Sequence, residues 1–342
     1  MLKSPSKQSI GALLGVGIAA LLIWGWDDEP NARYFHNEGP VFGTYYNVRY
    51  QAKHDLADSV KAALQAFDNS LSMFNPHSTL SAINANRDTV TDAYFEAMWS
   101  EATRIYHLSG GAFDITVAPL VNYWGFGNKS FQPSAISHQT EIDSLRAFVG
   151  FEKAELVDHH IVKEDPRVML DCGAVAKGQS CDVVAEMLRR NGCENYIVEI
   201  GGEVVAKGLN DKGEPWRIGI TKPNINNEGA ETDLQDVLSV TDICMATSGN
   251  YRNYYYADGE RRSHTIDPRT GYPVQHSLLS ATIVSSSCMR ADALATSCMV
   301  LGAEQALEMI DQAGDAACYL IVAQNDTLVA LTSPNWEEMC AK

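Results

Sequence analysis

The chain has 342 residues, 45% of them hydrophobic and 20% charged, with a net charge of −17. This is globular composition, with apolar material for one large core or two moderate ones. The acidic balance argues against a nucleic-acid partner, and a phosphate-bearing ligand would need a metal, a few local cations or helix N-termini to hold it.

Residues 10–26, IGALLGVGIAALLIWGW, carry no charge; Lys3 and Lys7 precede them, and Asp27, Asp28 and Glu29 follow. That asymmetry orients the segment with its N-terminus in the cytoplasm and the body exported. Trp24 and Trp26 occupy the region where a small-x-small cleavage site would fall. An uncleaved signal-anchor over residues 1–30 is therefore expected, holding the body on the periplasmic side of the inner membrane. No cysteine precedes Cys172, so a lipoprotein anchor at this site is not expected.

From residue 40 to 342 the apolar period alternates between two and about 3.6, which predicts an α+β domain. Val41 to Tyr50 reads as a strand. Asp55 to Phe74 reads as a helix, with Val60, Leu64, Phe67 and Leu71 on one stripe. A second helix spans Tyr94 to Leu108 and stops at Gly110-Gly111. A strand lies within Ile161 to Leu170, and a helix covers Ala176 to Arg190. Tyr196–Ile200, Glu203–Leu209 and Trp216–Thr221 read as consecutive strands. Leu278–Ser285 is a strand feeding a helix near Met289–Val300, then a helix over Ala303–Ala313 and two short final strands. Gly127 to Gln139 and Asn224 to Thr232 read as polar loops. The eight cysteines form no CxxC pair and no zinc spacing, so they read as small buried apolar residues.

Several stretches carry possible chemistry. In ADALAT, Asp292 and Thr296 lie four apart and share a helix face, two hard oxygen donors suited to Mg²⁺. The same Asp could equally complement the helix dipole in a first turn. LDCGAVAKG, from Leu170, runs from strand through a glycine turn into a helix N-terminus, with Lys177 as a cation for phosphate. SHTIDPRTG places His264 and Asp267 around a turn, where a carboxylate could orient a histidine base. GGAFDIT offers close backbone approach and Asp114, which reads either as a ligand contact or as a helix N-cap. Gly201-Gly202-Glu203 and ATSGNYRNYY read as ordinary turns. A Rossmann fingerprint and a Walker lysine motif are both missing.

Together with GTYYNVRY from Gly43 and VAPLVNYWGFG after Asp114, these blocks stand in the order found in the ApbE family, the FAD:protein FMN transferases, which the chain resembles from Val41 onward. The resemblance implies mixed or antiparallel sheets with packed helices, in two subdomains flanking an FAD cleft. Asp292, Thr296 and the backbone carbonyl of Ala174 match the family's magnesium ligands. Ala112, Phe113, Asp114, Asp171, Lys177, Phe42, Phe74 and Ile266 match its FAD contacts, and His264 its proposed base, with Asp267 as orienting partner. Phe42 and Phe74 replace frequent Met and Tyr, and Asn250 a usual Asp. The implied reaction moves FMN from FAD onto a Thr or Ser of a membrane redox protein and releases AMP. An FAD pyrophosphatase and a non-catalytic flavin-binding protein are the alternatives.

Overall fold

The computed structural model describes residues 32–127, 139–223, 233–250, 254–257, 260–325 and 327–341. The expected membrane segment and most of the two polar loops lie outside these residues. Among the described residues, no helix is long and apolar enough to cross a membrane.

Eight strands form one antiparallel sheet whose spatial order follows the chain: β1 Arg33–Val41, β2 Thr44–Ala52, β3 Tyr196–Ile200, β4 Glu203–Lys207, β5 Ile243–Gly249, β6 Leu278–Ser285, β7 Ala316–Gln324 and β8 Thr327–Thr332. The helices and extra hairpins are excursions from this meander. In β2, Tyr46, Val48, Tyr50 and Ala52 are buried and the residues between them less so, the two-residue period of a strand with one face inward. Central strand β6 is buried along its whole length, because both faces of the sheet are covered there.

One face carries helices α1 Ala57–Leu71, α2 Ala93–Leu108, α3 Ala176–Arg190, α4 Cys288–Leu301 and α5 Ala303–Ala313. Helix α1 buries Val60, Leu64, Phe67 and Leu71, the stripe read from the sequence. Helix α4 is enclosed by β5, β6, α2, α3 and α5, and its alanines let the neighbours approach. The opposite face is covered by the hairpin Trp216–Thr221/Leu234–Val240 and the short helix Trp336–Cys340, through Trp216, Ile218, Ile220, Leu238, Val240 and Trp336. Six cysteines are buried, Cys244 and Cys340 are partly buried, and all eight are free thiols.

The structure begins the body earlier than the sequence reading, since β1 pairs with β2 from Arg33 to Val41. The expected single strand over Val41–Tyr50 is broken at Phe42-Gly43, both with positive φ (49° and 75°), the two-residue turn that matches strand twist. Pro40 and the polar residues of β1 hide a strand, yet an edge strand tolerates both.

Helix α4 is tied down at its start by a residue that carries no sequence signature. Asp182, on α3, accepts the N–H groups of Cys288 (2.9 Å) and Met289 (2.8 Å). Burial pushes its carboxyl up to about 6, against those two hydrogen bonds. Asp182→Ala leaves two helix N-terminal donors buried without acceptors and is expected to lower stability by about 1–2 kcal/mol. Thermal unfolding by circular dichroism checks this, with a fall in Tm of a few degrees expected.

Candidate active site

A cleft of about 1420 Å³ runs from the N-terminal end of α3, past α4, to the segments at residues 112–126 and 264–268. Its lining brings together Phe74, Ala112, Phe113, Asp114, Asp171, Ala174, Lys177, His264, Ile266, Asp292 and Thr296, eleven of the residues read from the sequence. Phe74 is two-thirds exposed at its rim.

The deep end is built on the contact between α3 and α4. Asp292 is buried on α4, and its Oδ2 accepts the N–H of Gly178 at 3.0 Å. In a continuous helix that N–H would go to the carbonyl of Ala174, four residues back. Turning it to Asp292 leaves the Ala174 oxygen out of the helical ladder at the cleft wall. Thr296, one turn along from Asp292, meets Ser248 of β5 through their hydroxyls at 3.2 Å. Asp292, Thr296 and Ala174 thus share one end of the cleft, with a carboxylate, a hydroxyl and a carbonyl among them. Among the described residues, no three His, Cys, Asp or Glu side chains cluster as metal ligands. A sparse oxygen set fits Mg²⁺, which completes its shell with phosphate and water, better than it fits zinc.

Charges tune this end. Burial pushes the Asp292 carboxyl above its ordinary value, and Lys177 and the Gly178 N–H work against that rise. Lys177 pairs with Glu203, the first residue of β4. Burial works against the ammonium, but Asp292 and Glu203 outweigh it and hold Lys177 above the ordinary lysine range. Burial pushes Asp171 up as well, while its Oδ1 accepts the N–H of Gly173 at 2.8 Å.

Gly178 makes the helix contact possible. A Cβ there would stand 2.2 Å from the Cys288 carbonyl oxygen and 2.8 Å from Asp292 Cβ. Backbone cannot yield to such overlap, so Gly178→Ala is expected to separate α3 from α4 at a cost of about 3 kcal/mol. Scanning calorimetry is expected to show Tm lower by roughly 4–5 °C, and an unchanged Tm would refute the close-approach role.

At the other end, Asp114 caps the short helix Ile115–Val117, its Oδ1 accepting from Thr116 N (2.8 Å) and Thr116 Oγ1 (2.7 Å). The N-cap reading therefore holds, and the residue also lines the cleft. Burial raises its carboxyl to about 6, with Thr116 opposing. His264 is half-buried, its ring edge-on to Phe126 at 6.2 Å. Thr265, next to it, donates to Asn250 Oδ1 at 2.5 Å, which ties the histidine segment to the end of β5. That contact gives Asn250 a structural role the sequence did not reveal.

Two expected site residues fall elsewhere. The Asp267 carboxylate is held inside its own turn: Oδ1 accepts Arg269 N and Nε, both at 2.9 Å, and Oδ2 accepts Nη2 at 3.0 Å. A fork of this kind satisfies both oxygens, so Asp267 organises the Pro-Arg-Thr-Gly turn and is not the partner of His264. Phe42 sits in the β1–β2 turn, where its ring packs on Phe67 at 5.8 Å and stays out of the cleft lining.

Fold and cleft define the class: an α+β enzyme that sets hard oxygen donors beside a helix N-terminus suited to phosphate. A family model described as "ApbE family" matches residues 42–320, and the chain belongs to that family. It is 36% identical to an FAD:protein FMN transferase of Vibrio cholerae over 96% of this chain and 98% of the relative. Against the Escherichia coli K12 protein of the same name identity is 34%, covering 93% and 94%. Among solved structures, the flavin transferase ApbE of V. cholerae superposes with a TM-score of 0.81 at 35% identity, covering 90% of this chain and 99% of that one. The apo flavinyl transferase ApbE of Pseudomonas stutzeri gives 0.78 at 30% identity, covering 91% and 98%.

Proposed function

We propose that this protein transfers FMN from FAD to a threonine or serine hydroxyl of an acceptor protein, with Mg²⁺, and releases AMP. Membership of the ApbE family and relatives named FAD:protein FMN transferase support the reaction. The observation that carries it on this chain is the meeting of Asp292, Thr296 and Ala174 beside Lys177 in a cleft that also holds His264.

In this reading Ala112, Phe113, Asp114, Asp171 and Ile266 bind FAD, with Phe74 at the rim offering an aromatic face. Lys177 and the N-terminus of α3 receive the pyrophosphate. Asp292, Thr296 and the Ala174 carbonyl would hold Mg²⁺, which supplies Lewis-acid neutralisation of the phosphate charge when bound. His264 takes the proton from the acceptor hydroxyl, because a serine or threonine hydroxyl is a poor nucleophile at neutral pH. The hydroxyl oxygen bonds to the FMN-side phosphorus as the P–O bond to AMP breaks, and AMP leaves with the bond's electron pair.

The acceptor in this reading is a membrane redox protein with an exposed Thr- or Ser-bearing loop. Residues 1–30 tether the enzyme to the same membrane, its body on the periplasmic side, which raises the effective concentration of the two partners.

Chromatography of FAD turnover tests the reaction. AMP is expected to appear in step with acceptor concentration and without free FMN. Equal amounts of FMN and AMP, independent of acceptor, would identify hydrolysis by water instead.

A further inference from the structure

Gly201-Gly202-Glu203 reads from sequence as a plain turn, yet it delivers a buried carboxylate to the active site. Both glycines have positive φ (65° and 107°), so the turn folds back tightly from β3 into β4. A Cβ on Gly201 would stand 3.3 Å from Lys177 Cδ, so the turn also leaves a path for the lysine stem. Glu203 then lies beneath that stem, 1% exposed, and its Oε1 receives the Lys177 ammonium. Its Oε2 is buried and has no hydrogen-bond partner.

We propose that Glu203 is a positioning residue that holds the Lys177 ammonium off Asp292, leaving that carboxylate open to Mg²⁺ from the cleft. The inference rests on Asp292 being a magnesium ligand. Lys177 lines the cleft close enough for Asp292 to act on it, and its ion pair is made with Glu203; none with Asp292 occurs among the described residues. Both carboxylates nonetheless bear on the same ammonium. Asp292 gives only Oδ2 to the protein, through Gly178, and lines the cleft. Without Glu203 the Lys177 side chain would have Asp292 as its remaining anionic neighbour and would compete with the metal for it.

The orphaned oxygen supports a role beyond packing. A buried carboxylate with one unpaired oxygen is costly, and an apolar residue would stabilise the turn better.

Calorimetric titration of MgCl₂ alone into wild type, Asp292→Asn, Glu203→Gln, Lys177→Met and Lys177→Met/Glu203→Gln tests this, with folding checked by circular dichroism. Wild type is expected to bind, and Asp292→Asn to bind far more weakly. Glu203→Gln is expected to bind about tenfold more weakly, the scale of losing a residue that orients a metal site. The loss is expected to vanish when the comparison is made within Lys177→Met, since Glu203 acts through the lysine. If Glu203→Gln does not fold, Glu203→Asp replaces it, with a smaller loss that again depends on Lys177. Wild-type affinity in the Glu203 variant, or a loss that persists without Lys177, overturns the inference while the metal site stands. No magnesium binding by wild type overturns the metal assignment and the inference together.

Discussion

Asp292→Asn is expected to reduce flavin transfer by about 10³-fold, because the substitution removes the one carboxylate among the proposed metal donors. Asn keeps the shape of the side chain, and its amide oxygen can still accept the Gly178 N–H now bound by Oδ2 at 3.0 Å. The fold should therefore survive, and relief of a buried carboxylate whose pKa is raised by burial should leave stability equal or higher. Raising magnesium is expected to recover part of the rate, since the hydroxyl of Thr296 and the carbonyl of Ala174 remain. The checks are initial rates of acceptor labelling across a magnesium series, with Tm measured on the same preparation. A variant within a few-fold of wild type at low magnesium would remove Asp292 from the chemistry.

His264→Ala is expected to lower kcat for transfer by about 10²–10⁴-fold while the affinity for FAD stays within a few-fold of wild type. The split follows from position. His264 lines the cleft against Phe126, whereas the groups proposed to bind phosphate and metal stand on α4, on α3 and in the turn that leads into α3. Asp267 gives the histidine no carboxylate partner, because Arg269 occupies both of its oxygens. Asp267→Asn is accordingly expected to act through the turn and to cost far less than His264→Ala. Single-turnover labelling with FAD bound in excess separates chemistry from binding. A His264 variant with wild-type kcat would require another base.

Much of this site was legible in the sequence because its residues come from contiguous blocks. Helical spacing placed Asp292 and Thr296 on one face, and the strand–turn–helix pattern of LDCGAVAKG placed Lys177 at a helix N-terminus. The outcome for His264 and Asp267 shows the limit. Three-residue spacing suggested a pair, but the turn between them also brings Arg269 within reach, and a bidentate guanidinium satisfies a carboxylate better than an imidazole does. Long-range partners were equally hidden. Glu203 meets Lys177 from 26 positions away, and Asp182 meets the start of α4 from 106. Gly178 carried a signal that the sequence analysis did not draw on. A glycine inside the first turns of a helix is a poor helix former, and that cost signals close approach.

The fold divides in the same way. Helices with a clear apolar stripe, such as Ala57–Leu71 and Ala93–Leu108, were found within two or three residues of their ends. Strand β5, with the sequence ICMATSG, escapes notice because its two β-branched residues, Ile243 and Thr247, are set among Cys, Met, Ala and Ser, and its Ala246–Gly249 end reads as a turn. Its place between β4 and β6 supplies the pairing that its own residues do not favour.

The most direct test of the central claim mixes the purified protein with FAD, Mg²⁺ and an acceptor domain bearing a Thr or Ser flavinylation loop, and weighs the acceptor by intact mass spectrometry. The expected result is a gain of one FMN phosphoryl adduct, located by fragmentation on the hydroxyl, and lost with EDTA or with Asp292→Asn. An unmodified acceptor beside free FMN and AMP would contradict transfer and make this cleft the site of a hydrolase.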